Sequence, residues 1–301
     1  MISTEQAREI LVAEFPEWIP VSLSQLSGGI TNRNLLIETS QGEKFVARLP
    51  GQDTELLGIN REHEHAVSRV AWETGVAPEP VAYIAEHKML VTRFVEGVPI
   101  QTDRPETLRA VGKLLRCFHS APNIPGVFHL PSVISDYVAK AAHYSVSLPG
   151  ELDEALSIST RIYAALERRQ SRSLPCHNDL LPANFLTNGH QLYLLDWEYS
   201  GMGDPYFDLG NCAVNFCLNQ DTWHVLLEAY LGREPSSPEI AHLQLMRVLS
   251  DLRESMWGYL QVGISSLDED YEAYGKKHLD RFLLNAKTKE LETWLTTASG
   301  E

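Results

Sequence analysis

Short runs rich in apolar and β-branched residues lie at 35–39 (Leu-Leu-Ile-Glu-Thr) and 44–49 (Lys-Phe-Val-Ala-Arg-Leu) among the more polar positions around them. Runs of this kind predict strands. The intervening Ser40-Gln41-Gly42-Glu43 makes the pair a hairpin. The runs 81–84 and 89–94 predict two more strands, before Glu96-Gly97 breaks the pattern. Two helices accompany them. One starts at a Ser3 or Thr4 cap and stops before Pro16; the other covers 61–74 and ends at Gly75. Beyond residue 97 the apolar positions recur at helical spacing over 105–120, 134–145 and 152–170, then over 208–218, 221–231, 238–263 and 268–295. One hairpin interrupts the helices: Phe185-Leu186-Thr187, a turn at Asn188-Gly189, and Gln191-Leu192-Tyr193-Leu194-Leu195. The chain therefore predicts an α+β fold of two lobes, a small β-rich lobe over 1–97 and a larger, mainly helical lobe over 98–301. A cleft between two such lobes is the expected place for a ligand.

Composition narrows the class. Of 301 residues, 44 % are hydrophobic and 22 % charged, which excludes disordered and fibrous chains. No apolar run approaches the roughly 20 residues of a membrane helix. Met1-Ile2-Ser3-Thr4-Glu5-Gln6 has neither the basic nor the apolar region of a secretory signal. The four cysteines are too scattered for a disulfide framework, so a reducing cytoplasm is the expected compartment. The net charge of −15 is spread over both halves, where it serves solubility. It repels phosphate polymers, which argues against nucleic acid as a partner, and it attracts cations, which admits a small cationic substrate. The expected assembly is a monomer or homodimer.

The chemistry concentrates in Cys176-His177-Asn178-Asp179-Leu180-Leu181-Pro182-Ala183-Asn184, followed twelve residues later by Asp196-Trp197-Glu198. Alone, Asp179 or Asn184 reads as a turn residue and Asp196 as an exposed acid at a strand end. Together they form H-x-D-x-x-x-x-N, a hairpin, and an Asp after two apolar residues. The hairpin returns Asp196 to the loop that carries Asn184, so two oxygen ligands can hold a hard divalent ion while Asp179 faces a hydroxyl. Phosphoryl transfer needs that set, and protein kinases arrange it as H-R-D-x-x-x-x-N and D-F-G. Asn178 stands in place of that Arg, and Asp196-Trp197-Glu198 in place of Asp-Phe-Gly. His177 reads as a packed structural residue, because the Asp is the base in this motif. Glu62-His63-Glu64-His65 lacks the i, i+4 spacing of a helical metal site.

The sequence resembles the choline/ethanolamine kinase family, within the aminoglycoside phosphotransferase-like, protein-kinase-like superfamily. The resemblance rests on Gly28-Gly29-Ile30-Thr31-Asn32, Phe45-Val46-Ala47-Arg48-Leu49-Pro50, Asn60-Arg61-Glu62-His63-Glu64, the Asp179 loop, Asp196-Trp197-Glu198-Tyr199 and Tyr206-Phe207-Asp208-Leu209-Gly210-Asn211. It implies ATP and Mg2+ as cofactors. Gly28, Gly29, Thr31 and Asn32 would lie in the loop over the phosphates. Arg48 would contact phosphate and pair with a helix acid, Glu64 by the family's spacing or else Glu62. The backbone of Arg93 and Val95 would meet the adenine. Asp179 would be the catalytic base, and Asn184 and Asp196, with Glu198, the metal ligands. Asp208 would be structural, accepting from the backbone of the catalytic loop.

Tyr199 and Trp257 match positions of the aromatic cage that this family builds for a quaternary ammonium. Leu260 stands where the pattern has a second tryptophan, and Asn215 where eukaryotic members have an acid. The expected substrate is a small amino alcohol, choline or ethanolamine. Thiamine, an aminoglycoside or a sugar remains the alternative acceptor, and a silent nucleotide-binding protein the alternative class. Trp257 and Tyr259 can also be read as helix core.

Overall fold

The structure, a computed structural model, describes residues 2–18, 22–26, 32–51, 53–168 and 172–300. Gly28, Gly29 and Thr31 lie outside the described residues. In chain order the first elements are α1 (Thr4–Glu14), β1 (Ser22–Gln25), β2 (Asn32–Glu38), β3 (Lys44–Pro50), α2 (Arg61–Glu73), β4 (Pro80–Ile84), β5 (Met89–Arg93) and β6 (Val98–Pro99). Three helices follow, α3 (Pro105–His119), α4 (Leu130–His143) and α5 (Leu152–Glu167). Then come β7 (Leu174–Cys176), β8 (Phe185–Thr187), β9 (Leu192–Leu194) and β10 (Gly201–Gly203). The chain ends in α6 (Pro205–Asn215), α7 (Gln220–Leu231), α8 (Ser237–Ile264), α9 (Tyr271–Ala286) and α10 (Lys289–Ser299). No helix among the described residues is long and apolar enough to cross a membrane.

The chain divides into two compact units, Met1–Ile100 with Ala183–Glu198, and Gln101–Pro182 with Tyr199–Glu301. The first unit thus takes in the β8–β9 hairpin, a segment whose sequence position lies among the C-terminal helices. The reason is hydrogen bonding: β8 pairs with β6, the Leu194 N–H donates to the Val76 carbonyl at 2.8 Å, and the Gln191 amide donates to the Gly75 carbonyl at 2.8 Å.

An antiparallel sheet in the order β1-β2-β3-β5-β4 dominates the first unit. Strand period two decides its faces. Leu35, Ile37, Phe45, Ala47, Leu49, Met89 and Val91 bury one face against Ala7 and Leu11 of α1 and against Trp18. Phe15, Trp18 and Phe45 stack with ring centres 4.0 and 4.5 Å apart. A Ser3–Gln6 capping box starts α1. The opposite face carries Asn34, Val46, Arg48, Leu90 and Thr92.

The second unit is built around α8, whose residues from Ala241 to Gln261 are almost all buried. Helices α4, α6, α9 and α10 pack on it. The run 268–295, expected as one helix, is two: α9 ends at Ala286 and α10 starts at Lys289, with the Thr288 hydroxyl donating back to the Asn285 carbonyl at 2.9 Å. The short strands β1, β7 and β10 are too brief to show a period in the sequence.

Candidate active site

In the first unit, the free face of the sheet lines a cavity of about 520 Å³, a volume within the range of small-ligand sites. Val46, Leu90 and Ala77 give it apolar walls, and Phe94 and Val95 form one margin. The Arg93 N–H donates to the Glu79 carbonyl at 2.8 Å, and its guanidinium faces solvent beside Glu79 and Glu43. Arg93 can therefore offer a ligand only its carbonyl, while no described residue accepts from the Val95 N–H.

Asn184 and Asp196 both line the cavity. They reach it from one end of the β8–β9 hairpin, where the Leu195 N–H donates to the Asn184 carbonyl at 2.8 Å. The hairpin turns through Asn188–Gln191 rather than a two-residue loop, with the Asn188 Oδ1 accepting from His190 and Gln191 N–H. Asp196 has φ +69°, a left-handed conformation that Asp tolerates better than most residues. Its carboxylate is a quarter exposed.

Beneath it lies a buried network of charge. Arg48 pairs through Nη1 with Glu64 Oε1 at 2.9 Å and through Nη2 with Asp196 Oδ1; Glu198 Oε2 is 3.4 Å from the same nitrogen. Glu64 is thus the partner of Arg48, and Glu62 is exposed. Arg61 donates to Glu64 at 2.7 Å, to Glu198 at 2.9 Å and to the Asn32 Oδ1 at 2.7 Å. The Asn32 amide donates to Glu198 at 2.8 Å. Burial disfavours the charge on Arg48, but Asp196, Glu64 and Glu198 outweigh it and hold the guanidinium pKa above its ordinary value. Glu198 gives Oε2 to two guanidiniums and an amide, and the Asn32 side chain joins the same network. Arg61 was not singled out from the sequence, although a cation in the first turn of α2 opposes the helix dipole and so needs a partner.

Three carboxylates, Glu64, Asp196 and Glu198, face two guanidiniums. Among the described residues this network thus carries one more carboxylate than guanidinium, beside the hard oxygen donors of Asn184 and Asp196. That donor set suits a magnesium ion, which binds through one or two carboxylates and completes its shell with phosphate and water.

In the second unit, β7 pairs with β10 and delivers the chain into the loop His177–Leu181. Asn178 turns it with φ +68°. Asp208, in the first turn of α6 and fully buried, accepts from the His177 N–H at 2.8 Å, the Asn178 N–H at 2.7 Å and the His119 Nε2 at 3.0 Å. One turn on, the Asn211 Oδ1 accepts from the Leu180 N–H at 2.7 Å. Residues i and i+3 share a helix face, so α6 holds the loop at two points. The Asp179 N–H lies 3.2 Å from His177 Nδ1, which makes that nitrogen an acceptor. His177 is fully buried. Asp208 also lies near Cys176 and His119, but its two oxygens are occupied by the loop and burial pushes the Cys176 thiol up, so this cluster does not fit a metal.

From α8, Arg253 Nη1 approaches Asp179 Oδ1 at 3.3 Å and Glu254 Oε1 at 2.7 Å. Its guanidinium lies 4.7 Å from the Tyr199 ring centre. Burial works against its charge, which Glu254 and Asp179 among others restore, leaving it raised. The Tyr274 hydroxyl donates to Glu254 at 2.8 Å, and Asn211 donates to it at 3.2 Å. Burial raises the Glu254 carboxyl, yet Arg253 and His278 bring it below its usual value. Trp257 Nε1 donates to the Tyr199 hydroxyl at 3.0 Å, and the indole meets Tyr271 and Tyr274 edge-on at 5.9 and 5.7 Å. Tyr271, Tyr274, Arg253 and Glu254 were not singled out from the sequence. The pattern gave no signal for the last two, because α8 also carries Arg247, Ser250 and Asp251 in its middle and a linear reading cannot tell which of these charges is buried at the site.

Residues 22–241 match the phosphotransferase enzyme family. The chain belongs to that family. It is a small-molecule phosphotransferase. A solved choline/ethanolamine kinase family protein from Mesorhizobium loti superposes with a TM-score of 0.85 at 28 % identity, covering 100 % of both chains. The protein LicA of Haemophilus influenzae is 28 % identical over 270 residues, 84 % of this chain and 76 % of its own. A thiamine kinase of Shigella boydii is 28 % identical over 240 residues, 79 % of this chain and 81 % of its own. The β-rich and helical parts expected from the element pattern, and the protein-kinase-like fold implied by the resemblance, agree with the fold of the solved neighbour.

Proposed function

We propose that this phosphotransferase moves the γ-phosphoryl group of ATP to the hydroxyl of a small amino alcohol, choline or ethanolamine. The observation that supports this reading is the aromatic group Tyr199, Trp257, Tyr271 and Tyr274 in the unit that carries Asp179. Aromatic faces attract a quaternary or primary ammonium, and the Mesorhizobium loti neighbour is of the choline/ethanolamine kinase family. Thiamine is the second reading, favoured by the similarity to a thiamine kinase; its cationic ring and primary alcohol suit the same aromatic surface.

The first unit holds ATP, with adenine at the Phe94–Val95 margin and phosphates toward Arg48. Asn184 and Asp196 would hold magnesium, which neutralises charge developing on the phosphates. The second unit holds the alcohol. Asp179 accepts the hydroxyl proton as the oxygen bonds to the γ-phosphorus, and the bond from that phosphorus to the bridging oxygen breaks, releasing ADP. Asp208 and Asn211 keep the Asp179 loop in place.

The test is ADP release with choline, ethanolamine, thiamine and neutral 3,3-dimethylbutanol, with and without Mg2+. A cationic alcohol should exceed dimethylbutanol in kcat/KM by at least about tenfold, the worth of roughly 1.4 kcal/mol from cation–π contact. Equal use of the neutral alcohol removes the cationic-substrate reading. Asp179→Asn should lower kcat by about 10²–10⁴-fold with ATP affinity kept. Turnover within threefold of the parent would remove Asp179 as base.

A further inference from the structure

Among the described residues Arg253 is the largest fully buried side chain, and it touches a loop at the site. It is 1 % exposed, yet among the described residues neither its Nε nor its Nη2 has a hydrogen-bond partner. A guanidinium kept only to neutralise Glu254 would normally be saturated, because each unpaired buried N–H costs free energy. Here one nitrogen, Nη1, serves two carboxylates at once, and the guanidinium lies over the Tyr199 ring, 4.7 Å from its centre. The cation is therefore placed by three elements: its own helix α8, the Asp179 loop, and the segment just after Glu198 that carries Tyr199. Its anchor is also fixed, since Glu254 is gripped by Tyr274 of α9 and Asn211 of α6. Asn211 in turn holds the Leu180 N–H. Loop and cation thus share one scaffold.

We infer that Arg253 is a positioning residue for phosphoryl transfer, a buried guanidinium from α8 that fixes the orientation of the Asp179 carboxylate and, through its cation–π contact, the ring of Tyr199. The inference rests on the proposed role of Asp179. A base must present one oxygen to the acceptor hydroxyl at hydrogen-bond distance, and a side chain held at Oδ1 has lost the rotation that would spoil this. The guanidinium over the ring has a second consequence. One face of Tyr199 is already covered by the protein's own cation, so an ammonium substrate is left to its other face and to Trp257, Tyr271 and Tyr274.

The experiment is a set of kinetic variants, assayed with whichever of choline, ethanolamine or thiamine the parent turns over fastest. Arg253→Met/Glu254→Gln removes both charges together, which avoids stranding a buried carboxylate. Arg253→Lys keeps the charge and loses the fork. Both should lower kcat, the double variant by about 10–10²-fold as expected for a displaced reacting group, the lysine variant by less. KM for ATP should stay within about threefold. In an Asp179→Asn background the double change should cost less than about threefold more, because the group it positions is gone. Either of two results overturns the inference: full kcat in both Arg253 variants while Asp179→Asn is inactive, or losses that multiply independently in the combined variant. If Asp179→Asn alone keeps its turnover, the failure lies instead in the reading of Asp179 as base. Circular dichroism melts separate loss of fold, and an unfolded double variant leaves Arg253→Lys to decide.

Discussion

Asp196 stands two residues past the end of β9, with a positive φ, a quarter of its side chain exposed and Arg48 on its Oδ1. In this state its charge is shared with a guanidinium that also serves Glu64 and Glu198. A divalent ion between Asp196 and phosphates would compete for the carboxylate, and the phosphates would recruit the guanidinium. The expected outcome is that Asp196→Ala abolishes the magnesium dependence of ATP binding and leaves weak, magnesium-independent binding. Calorimetry with and without Mg2+ measures it; magnesium-dependent binding in the variant would remove the metal assignment. Arg48 is a poorer target for this test, because its loss takes the guanidinium from Asp196 and leaves Arg61 alone against the buried Glu64 and Glu198.

Elements deliver these residues through close crossings. Gly210 of α6 faces α8 so tightly that a Cβ there would lie 2.6 Å from the Arg247 nitrogen and 2.7 Å from the Met246 carbonyl carbon. A similar approach joins α8 to α9, where a Cβ on Gly258 would meet Gly275 backbone at 2.9 Å. In an open helix, Gly→Ala would stabilise by about 1 kcal/mol through propensity. At Gly210 the obstacle is backbone, which no rotamer can relieve, and overpacking costs about 1–3 kcal/mol. Gly210→Ala should therefore lower the urea midpoint rather than raise it. Since α6 also carries Asp208 and Asn211, activity should fall before the main unfolding transition. An unchanged midpoint would show that the crossing tolerates a methyl group.

At the scale of the whole molecule, the field is that of a chain with net charge −15. Such a field raises the local concentration of cations over distances set by salt, about 30 Å at 0.01 M and about 8 Å at 0.15 M. A cationic acceptor should therefore show kcat/KM falling by roughly two- to fivefold across that range. Neutral dimethylbutanol should show little change. Equal salt dependence for both alcohols would place the effect on ATP and magnesium rather than on acceptor steering. The molecule is also interleaved along its chain: Ala183–Glu198 belongs with the first hundred residues, so Asp179 and Asn184, five positions apart, fall in different units.

The sequence by itself determined which residues can do the chemistry and the local conformations around them. The two-residue period of a strand turned Arg48 away from the core made by Phe45, Ala47 and Leu49. The Asp179–Asn184 spacing and the following hairpin placed Asn184 beside Asp196 on one cavity. Both outcomes depend on neighbours in the chain, which a linear pattern records. Tertiary structure decided what each charge meets. Only packing separates Glu64 from Glu62 as the partner of Arg48, and only packing brings Arg61 and Asn32 to Glu198 across long stretches of sequence. Arg253 reaches Asp179 from 74 positions away, and Tyr274 reaches Glu254 from the next helix. Such pairs are chosen by desolvation: a charge removed from water must find a partner wherever the fold supplies one.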